Sequence, residues 1–320
     1  MEFVREKTLL HKLIVVDGIG LCGKSLLLDI ISSFETVEKQ EFNTFLEFIG
    51  MAHKYNKISN DIALAILKTE MDHEIYNNMI GRYINTRLSD ESSVYRYHNP
   101  SKYLKRSLEK DGPIVYQRIL EEKPIFLSWS HSLINKSDII WEAFGNKLEW
   151  IYLNRNPIDL IYEWNKASYS ERIGRDPTDR QYCIKYKNFP VPEAVYGWEE
   201  EFLSSTSLER AIKIVYEFFK SNLEGLQRKH DNQNIHIMNF EDLVTNPMKE
   251  IERIKKITKN DPLPVLDKML VFGKCPRVLN HEEFNDREMN IRKNISHKYL
   301  DLLPEMDAMY QNIKNLAIKG

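Results

Sequence analysis

The stretch Asp17-Gly18-Ile19-Gly20-Leu21-Cys22-Gly23-Lys24-Ser25 constrains this chain more than any other. A short β-branched run, His11-Lys12-Leu13-Ile14-Val15-Val16-Asp17, leads into it, and the apolar run Ser25-Leu26-Leu27-Leu28-Asp29-Ile30-Ile31 continues from it as a buried helix. Gly-x-x-x-x-Gly-Lys-Ser is therefore complete, and it lies in the strand-to-helix setting that a phosphate loop requires. Its glycines let backbone N–H groups turn toward an anion, and the helix adds the positive end of its dipole. Lys24 contributes a formal charge, and Ser25 would ligate magnesium if the ligand were a nucleoside triphosphate. Gly18, Gly20, Cys22, Gly23, Lys24 and Ser25 are the expected phosphate-binding residues.

Three further apolar runs read as buried parallel strands: Pro124-Ile125-Phe126-Leu127, Leu148-Glu149-Trp150-Ile151-Tyr152-Leu153 and Ile235-His236-Ile237-Met238-Asn239-Phe240. Each precedes a helical pattern. The alternation predicts an α/β fold, a mostly parallel sheet flanked by helices on both faces, with ligands bound beyond the carboxyl ends of its strands. From Asn60 to about Ile84, the spacing of Leu64, Leu67, Met71, Ile75 and Met79 predicts one long amphipathic helix with a core stripe.

A chain of 320 residues can bury one large core. We expect a single domain over residues 1–320, with a helical insertion at about 43–110. Between about 168 and 200 the pattern breaks into Arg172, Arg175, Arg180, Tyr182, Tyr186, Phe189, Pro190, Pro192 and Trp198, which reads as a substrate lid loop. Residues 273–296 look similarly irregular, ahead of a last helix near 297–318.

Forty-five basic residues against 47 acidic ones leave a formal charge of -2, which argues against bulk nucleic-acid or membrane-surface binding. Cys22, Cys183 and Cys275 are few, scattered and odd in number, so neither a disulfide framework nor a paired-cysteine metal site is expected, and a reducing cytoplasm fits. Leu13 to Val16 is too short for a membrane span or signal segment, so no targeting segment is expected.

Two later motifs bear on the chemistry. Leu153-Asn154-Arg155-Asn156-Pro157-Ile158-Asp159-Leu160-Ile161-Tyr162 resembles the 3′-phosphate-binding motif of the sulfotransferases. Phe240-Glu241-Asp242-Leu243-Val244-Thr245-Asn246-Pro247 resembles the same family's later strand-to-helix segment. The resemblance implies a phosphate-loop nucleoside triphosphate hydrolase-like fold of the sulfotransferase kind. It also implies 3′-phosphoadenosine 5′-phosphosulfate (PAPS) as donor and adenosine 3′,5′-bisphosphate (PAP) as product. Arg155 would then pair with the 3′-phosphate, a task suited to a bidentate guanidinium.

Phe126-Leu127-Ser128-Trp129-Ser130-His131-Ser132-Leu133 is similar to the family's strand ending in the catalytic histidine, which implies His131 as the base for an acceptor hydroxyl or amine. Lys24 would stabilise charge on the bridging oxygen, with no metal required. Arg292-Lys293 is similar to the family's Arg-Lys-Gly element, with Asn294 in place of the glycine, and would add to the cofactor contacts. Asp159, Glu241 and Asp242 read as first-turn helix acids.

Two departures keep an alternative open. Glu163 stands where the family commonly has a serine, and Leu21 stands where its loop usually carries Lys or Arg. An intact Gly-Lys-Ser with Glu163 also suits Mg-ATP and a small-molecule phosphotransferase. Asn135-Lys136-Ser137-Asp138 matches the guanine-recognition pattern of a GTP-binding switch, although no Asp-x-x-Gly accompanies it. The expected partners are a nucleotide donor and an acceptor substrate. Nothing in residues 168–200 distinguishes a sugar, a phenol, a lipid head group or a peptide as that acceptor.

Overall fold

Leu13, Ile14, Val15, Val16 and Asp17 are completely buried in strand β1 (Lys12–Asp17), so this strand needs cover on both faces. A computed structural model of the chain describes residues 1–39, 41–42, 44–90, 92–97, 99–110, 112–176, 178–179 and 181–319. Arg180 of the lid lies outside them.

Helix α1 (Lys24–Ile31) follows the glycine-rich loop. After the two-residue strand β2 (Glu41–Phe42) come α2 (Thr44–Lys54), α3 (Asn60–Met79), α4 (Pro100–Arg106) and α5 (Pro113–Glu122). Then β3 (Ile125–Trp129), α6 (Asp138–Phe144), β4 (Leu148–Asn154) and α7 (Pro157–Lys166) alternate. The lid region holds α8 (Tyr169–Arg172), a hairpin of β5 (Cys183–Tyr186) and β6 (Phe189–Pro192), and α9 (Glu199–Ser204). It is followed by α10 (Ser207–Arg228), β7 (Ile235–Asn239), α11 (Phe240–Thr245), α12 (Pro247–Thr258) and α13 (Val265–Phe272). Helices α14 (His281–Lys293), α15 (His297–Leu300) and α16 (Leu302–Lys319) end the chain.

The main sheet is five-stranded, in the order β2-β3-β1-β4-β7, and every pairing is parallel. Register sets what meets at its carboxyl edge. Val16 pairs with Trp129, Asp17 with Tyr152, and Asn154 with Asn239, so the segments beginning at Gly18, Ser130, Arg155 and Phe240 leave the sheet side by side. Parallel strands all release their chains at the same end, which is why loops far apart in sequence share one edge.

The four apolar runs are strands as expected. The long helix is present but ends at Met79, and Ala63 rather than Leu64 is its first buried stripe residue. Two irregular stretches are more ordered than their sequence suggests. The lid carries its own hairpin and short helices, and Phe48 of α2 packs on Tyr182 at a centroid distance of 4.1 Å. Residues 281–293 form α14, started by Asn280, whose side chain accepts from Glu282 N at 3.0 Å and Glu283 N at 3.2 Å. Its polar surface hid it from a reading based on hydrophobic period, since Ile291 is its one buried residue. The last helix is divided at Asp301.

A buried ionic cluster ties α4 to the segment after α1. Glu38 accepts from Arg106 Nη1 at 2.7 Å and Nη2 at 2.9 Å, and from Tyr103 Oη at 2.7 Å, while Lys102 Nζ lies 3.2 Å away. Burial pushes the Glu38 carboxyl upward, but the hydrogen bonds and charge of Arg106, aided by Lys102 and Tyr103, outweigh it and hold the group at about 2 rather than 4.5. A folded value below the unfolded one means this stability is present above pH 4.5 and is lost as pH falls toward 2. Arg106→Ala strands the carboxylate and should destabilise the chain by about 3–5 kcal/mol at neutral pH, measured by urea unfolding. The variant should also lack the wild type's loss of stability below pH 4.5; an unchanged acid profile would count against the cluster as its source.

Candidate active site

The phosphate loop leaves β1 through Gly18, whose φ is +150°; an added Cβ would come within 2.5 Å of the Leu153 carbonyl oxygen. Gly23, with φ +99°, faces the ring of Phe240, and a Cβ there would approach it to 2.3 Å. A side chain is therefore excluded at both ends of the turn, at Gly18 by the Leu153 carbonyl and at Gly23 by the Phe240 ring. Trp164 of α7 braces the turn by donating from Nε1 to the Gly20 carbonyl at 2.9 Å. Cys22 is buried within the loop, and burial pushes its thiol up from its ordinary value. Ser25 is exposed in the first turn of α1. The Lys24 ammonium is buried and curls back over the loop, donating to the Gly18 carbonyl at 2.8 Å and the Ile19 carbonyl at 3.1 Å.

Arg155 leaves β4 directly beside this cradle. Its Nη1 donates to the Leu21 carbonyl at 2.6 Å, its guanidinium lies 4.5 Å from the Phe240 ring centroid, and its Nε is buried without a partner. Glu163 Oε1 stands 4.0 Å from Nη2, at the limit of an ion pair. The turn after Arg155 is clamped from β7's end: Glu241 accepts from the Asn156 N–H at 2.8 Å and from Tyr310 Oη at 3.0 Å. Burial raises the Glu241 carboxyl above its ordinary value, against these hydrogen bonds and the Arg155 charge. Asn156 caps α7 by accepting from Ile158 N at 2.9 Å, with Pro157 at the first helical position.

His131 follows β3 on the other side of β1. The neighbouring residues fasten it to the phosphate loop, since Ser130 N donates to Val16 O at 3.0 Å and Ser132 N donates to Gly18 O at 3.2 Å. Asp17 completes the tie by accepting from Ser130 Oγ at 3.0 Å, Leu133 N at 3.0 Å and Ile134 N at 2.8 Å. Glu47 on α2 accepts from the His131 N–H at 2.7 Å and engages its Nδ1 at 3.1 Å. A carboxylate oxygen that accepts from Nδ1–H would leave Nε2 as the ring's acceptor nitrogen. A cleft of about 330 Å³ runs between the two halves, lined by Gly20, Glu47, Trp129, His131, Trp164 and Tyr169 among others. The cleft thus lies between His131 and the glycine turn.

The structure thus gathers Gly18, Gly20, Cys22, Gly23, Lys24, Arg155 and His131 at one sheet edge. Arg292 and Lys293 lie elsewhere, in the last turn of α14, where Arg292 Nη2 pairs with Glu288 at 2.7 Å. Among the described residues, neither forms a hydrogen bond or ion pair with residues 18–25. A helix occupies the place where an irregular loop was expected, and its cation turned toward α7 is Arg287, paired with Asp159 at 2.7 Å.

Arg277 comes closer to the cradle. Its guanidinium lies 5.4 Å from the same Phe240 ring, and among the described residues it forms no ion pair. Sequence reading missed Asp17, Glu47, Phe240 and Arg277 as site residues; Asp17 and Phe240 lay at the start of quoted motifs, and Glu47 and Arg277 carried no local signal.

Asn135-Lys136-Ser137-Asp138 is occupied by contacts within the protein. Asn135 Oδ1 accepts from Arg228 Nη2 at 2.8 Å, Lys136 pairs with Glu193 at 2.7 Å, and Asp138 pairs with both Arg228 and Lys229. Ser137 precedes α6 without capping it, its hydroxyl donating to Ile134 O at 2.8 Å. Among the described residues, no helix is long and apolar enough to cross a membrane.

The sequence matches the family model described as a sulfotransferase domain over residues 69–272, more than half of the chain. No curated protein matches it. Among solved structures, it is similar to the sulfotransferase domain of the Synechococcus PCC 7002 olefin synthase, with 12% identity, 100% of this chain and 98% of that one covered, and a TM-score of 0.45. For the sulfotransferase domain from the curacin biosynthetic pathway the identity is 13%, the coverage 80% and 76%, and the TM-score 0.43. A sulfotransferase from Alicyclobacillus acidocaldarius matches at 11% identity over 96% of this chain and 97% of that one, with a TM-score of 0.36. The matched span takes in the His131 strand, the Arg155 turn and the Glu241 clamp, so the kinase and GTP-switch readings give way: this chain belongs to the sulfotransferase domain family and is a transferase.

Proposed function

We propose that this protein transfers a sulfuryl group from PAPS to an acceptor hydroxyl, with the donor held across the carboxyl edge of the sheet. The observation that carries this reading is Arg155. It is stacked on Phe240 against the phosphate loop, and its buried Nε lacks a partner. A buried guanidinium N–H without an acceptor is costly, and a phosphate oxygen is the acceptor that would satisfy it. The loop supports the same reading, because a complete Gly-x-x-x-x-Gly-Lys-Ser leads directly into the N-terminus of α1.

In this reading Gly18, Gly20, Gly23, Lys24 and Ser25 hold the 5′-phosphosulfate, and Arg155 holds the 3′-phosphate with Arg277 beside it. The bound donor supplies the sulfuryl group. His131 Nε2 takes the proton of the acceptor hydroxyl, and Glu47 stabilises the imidazolium that results. Lys24 neutralises the charge left on the 5′-phosphate oxygen. Trp129, Trp164 and Tyr169 wall the cleft and limit water's access to the sulfuryl group. The whole chain acts as one domain around this edge, with α2 and residues 181–184 bordering the acceptor side.

Arg155→Ala should weaken PAP binding about ten- to a hundredfold, the magnitude of a lost charge-assisted hydrogen bond, while AMP binding changes little. Isothermal calorimetry with the two nucleotides reads the difference. Equal losses for both would remove Arg155 from the 3′-phosphate site.

A further inference from the structure

Arg155 already has an anion beside it. Glu163 sits in the second turn of α7, and its Oε1 lies 4.0 Å from Arg155 Nη2, at the limit of an ion pair and beyond hydrogen-bond reach. Nε and Nη2 form the side edge of a guanidinium, the edge that grips two oxygens of a carboxylate or a phosphate in parallel. Nη1 is engaged separately by the Leu21 carbonyl, and Nε is buried without an acceptor. Glu163 therefore stands toward the edge a phosphate would take, close enough to balance its charge and too far to satisfy its N–H groups.

No other cation competes for Glu163. Arg287, which reaches α7 from α14, pairs with Asp159 at 2.7 Å and Glu283 at 3.3 Å, and Lys166 lies over the Tyr162 ring. Among the described residues, Arg155 is the one cation within ion-pair distance of Glu163. The Glu163 side chain keeps 31% of its surface exposed against 13% for Arg155, so the carboxylate can turn into water while the guanidinium, stacked on Phe240, stays in place.

Resting on the sulfuryl-transfer reading above, we propose that Glu163 is an internal counter-ion of Arg155 that the donor's 3′-phosphate must displace, so that it lowers the affinity for PAP and helps the product leave. Two anions cannot share one guanidinium edge without repulsion. The cost falls on nucleotides that carry a 3′-phosphate and spares those that lack it. With Glu163 turned out, the phosphate gains Nε and Nη2; when PAP departs, Glu163 returns and the charge of Arg155 is not left bare. The residue that speaks against a 3′-phosphorylated donor in the sequence thus tunes the donor site rather than excluding that donor.

Calorimetry with PAP and AMP on wild type and Glu163→Gln tests this. The substitution keeps the shape and removes the charge. PAP should bind about tenfold more tightly, a moderate gain because a half-solvated carboxylate repels less than a buried one, while AMP stays within about twofold of wild type. In the Arg155→Ala background, Glu163→Gln should improve PAP binding by less than about threefold, since the group it competes for is gone. Unchanged or weaker PAP binding by Glu163→Gln overturns the proposal, as does an equal tightening of AMP or the full gain in the absence of Arg155. AMP binding shows that each variant is folded. Failure of the donor reading looks different: PAP would then bind no better than AMP to wild type and to Glu163→Gln alike, and the proposal would fall with it.

Discussion

His131→Ala should lower kcat by about 10²–10⁴-fold, the range of a lost general base, while PAP affinity stays within about twofold of wild type. The split follows from position. His131 is fastened to the phosphate loop through backbone bonds from Ser130 and Ser132 and through Asp17, so the fold around it survives truncation of the imidazole. Glu47→Gln provides the internal comparison. It keeps an oxygen able to accept from the His131 N–H but removes the negative charge beside Nδ1, so kcat should fall by about ten- to a hundredfold, less than for the histidine itself. A Glu47→Gln enzyme as impaired as His131→Ala would make the carboxylate the base, and normal turnover by His131→Ala would remove the histidine from the reaction.

Lys24→Ala should lower kcat by about 10²–10³-fold, as expected for loss of a charge that stabilises the leaving oxygen. Here the chain departs from the sulfotransferase pattern, which usually carries its loop cation at the position of Leu21. Leu21 has φ +66° and its carbonyl accepts from Arg155, so that position sits on the inner turn of the cradle. Leu21→Lys placed in the Lys24→Ala background should therefore recover about tenfold of the lost rate by returning a cation to the loop. Pre-steady-state turnover, which excludes product release, is the measurement. Full activity in Lys24→Ala would show that the lysine's hydrogen bonds to Gly18 and Ile19 are structural only.

Much of the scaffold was legible because its signals are local. β1, its loop and α1 need no distant partner to be recognised: a β-branched run, two glycines at forced backbone positions and an apolar helix are adjacent in the chain. β3, β4 and β7 were equally visible, since strands of a parallel sheet covered on both faces are apolar throughout. Arg155 was named through the resemblance of Leu153–Tyr162 to the sulfotransferases' 3′-phosphate-binding motif, and it lies where β4 gives way to α7. Helix α14 was not legible, because it is polar nearly all round and owes its start to the Asn280 cap. Arg292 and Lys293 were read as part of a loop for the same reason: a basic pair looks alike in a loop and in a last helical turn.

The partners of the site residues were hidden by distance. Glu47 lies 84 residues before His131, and no spacing rule connects a residue on α2 with one beyond β3. Phe240 was read as a strand residue and instead opens α11, where its ring lies against Gly23 and carries Arg155. Arg277 reaches that ring from a stretch without periodicity. The cavities beyond His131 form where α2 meets the segment around the β5–β6 hairpin, with Phe48 packed on Tyr182.

The sequence alone marked β1, β3, β4 and β7, the glycine turn that joins β1 to α1, and, through the family resemblance, His131 and Arg155 as candidate site residues. Backbone geometry and burial act over a few consecutive residues, and sequence records them directly. Tertiary structure alone decided which carboxylate meets His131, which ring lies against Arg155 and which segments enclose the cleft beside them. Those depend on parallel register bringing four chain ends to one edge and on two separate segments enclosing a space, relations that spacing along the chain does not carry.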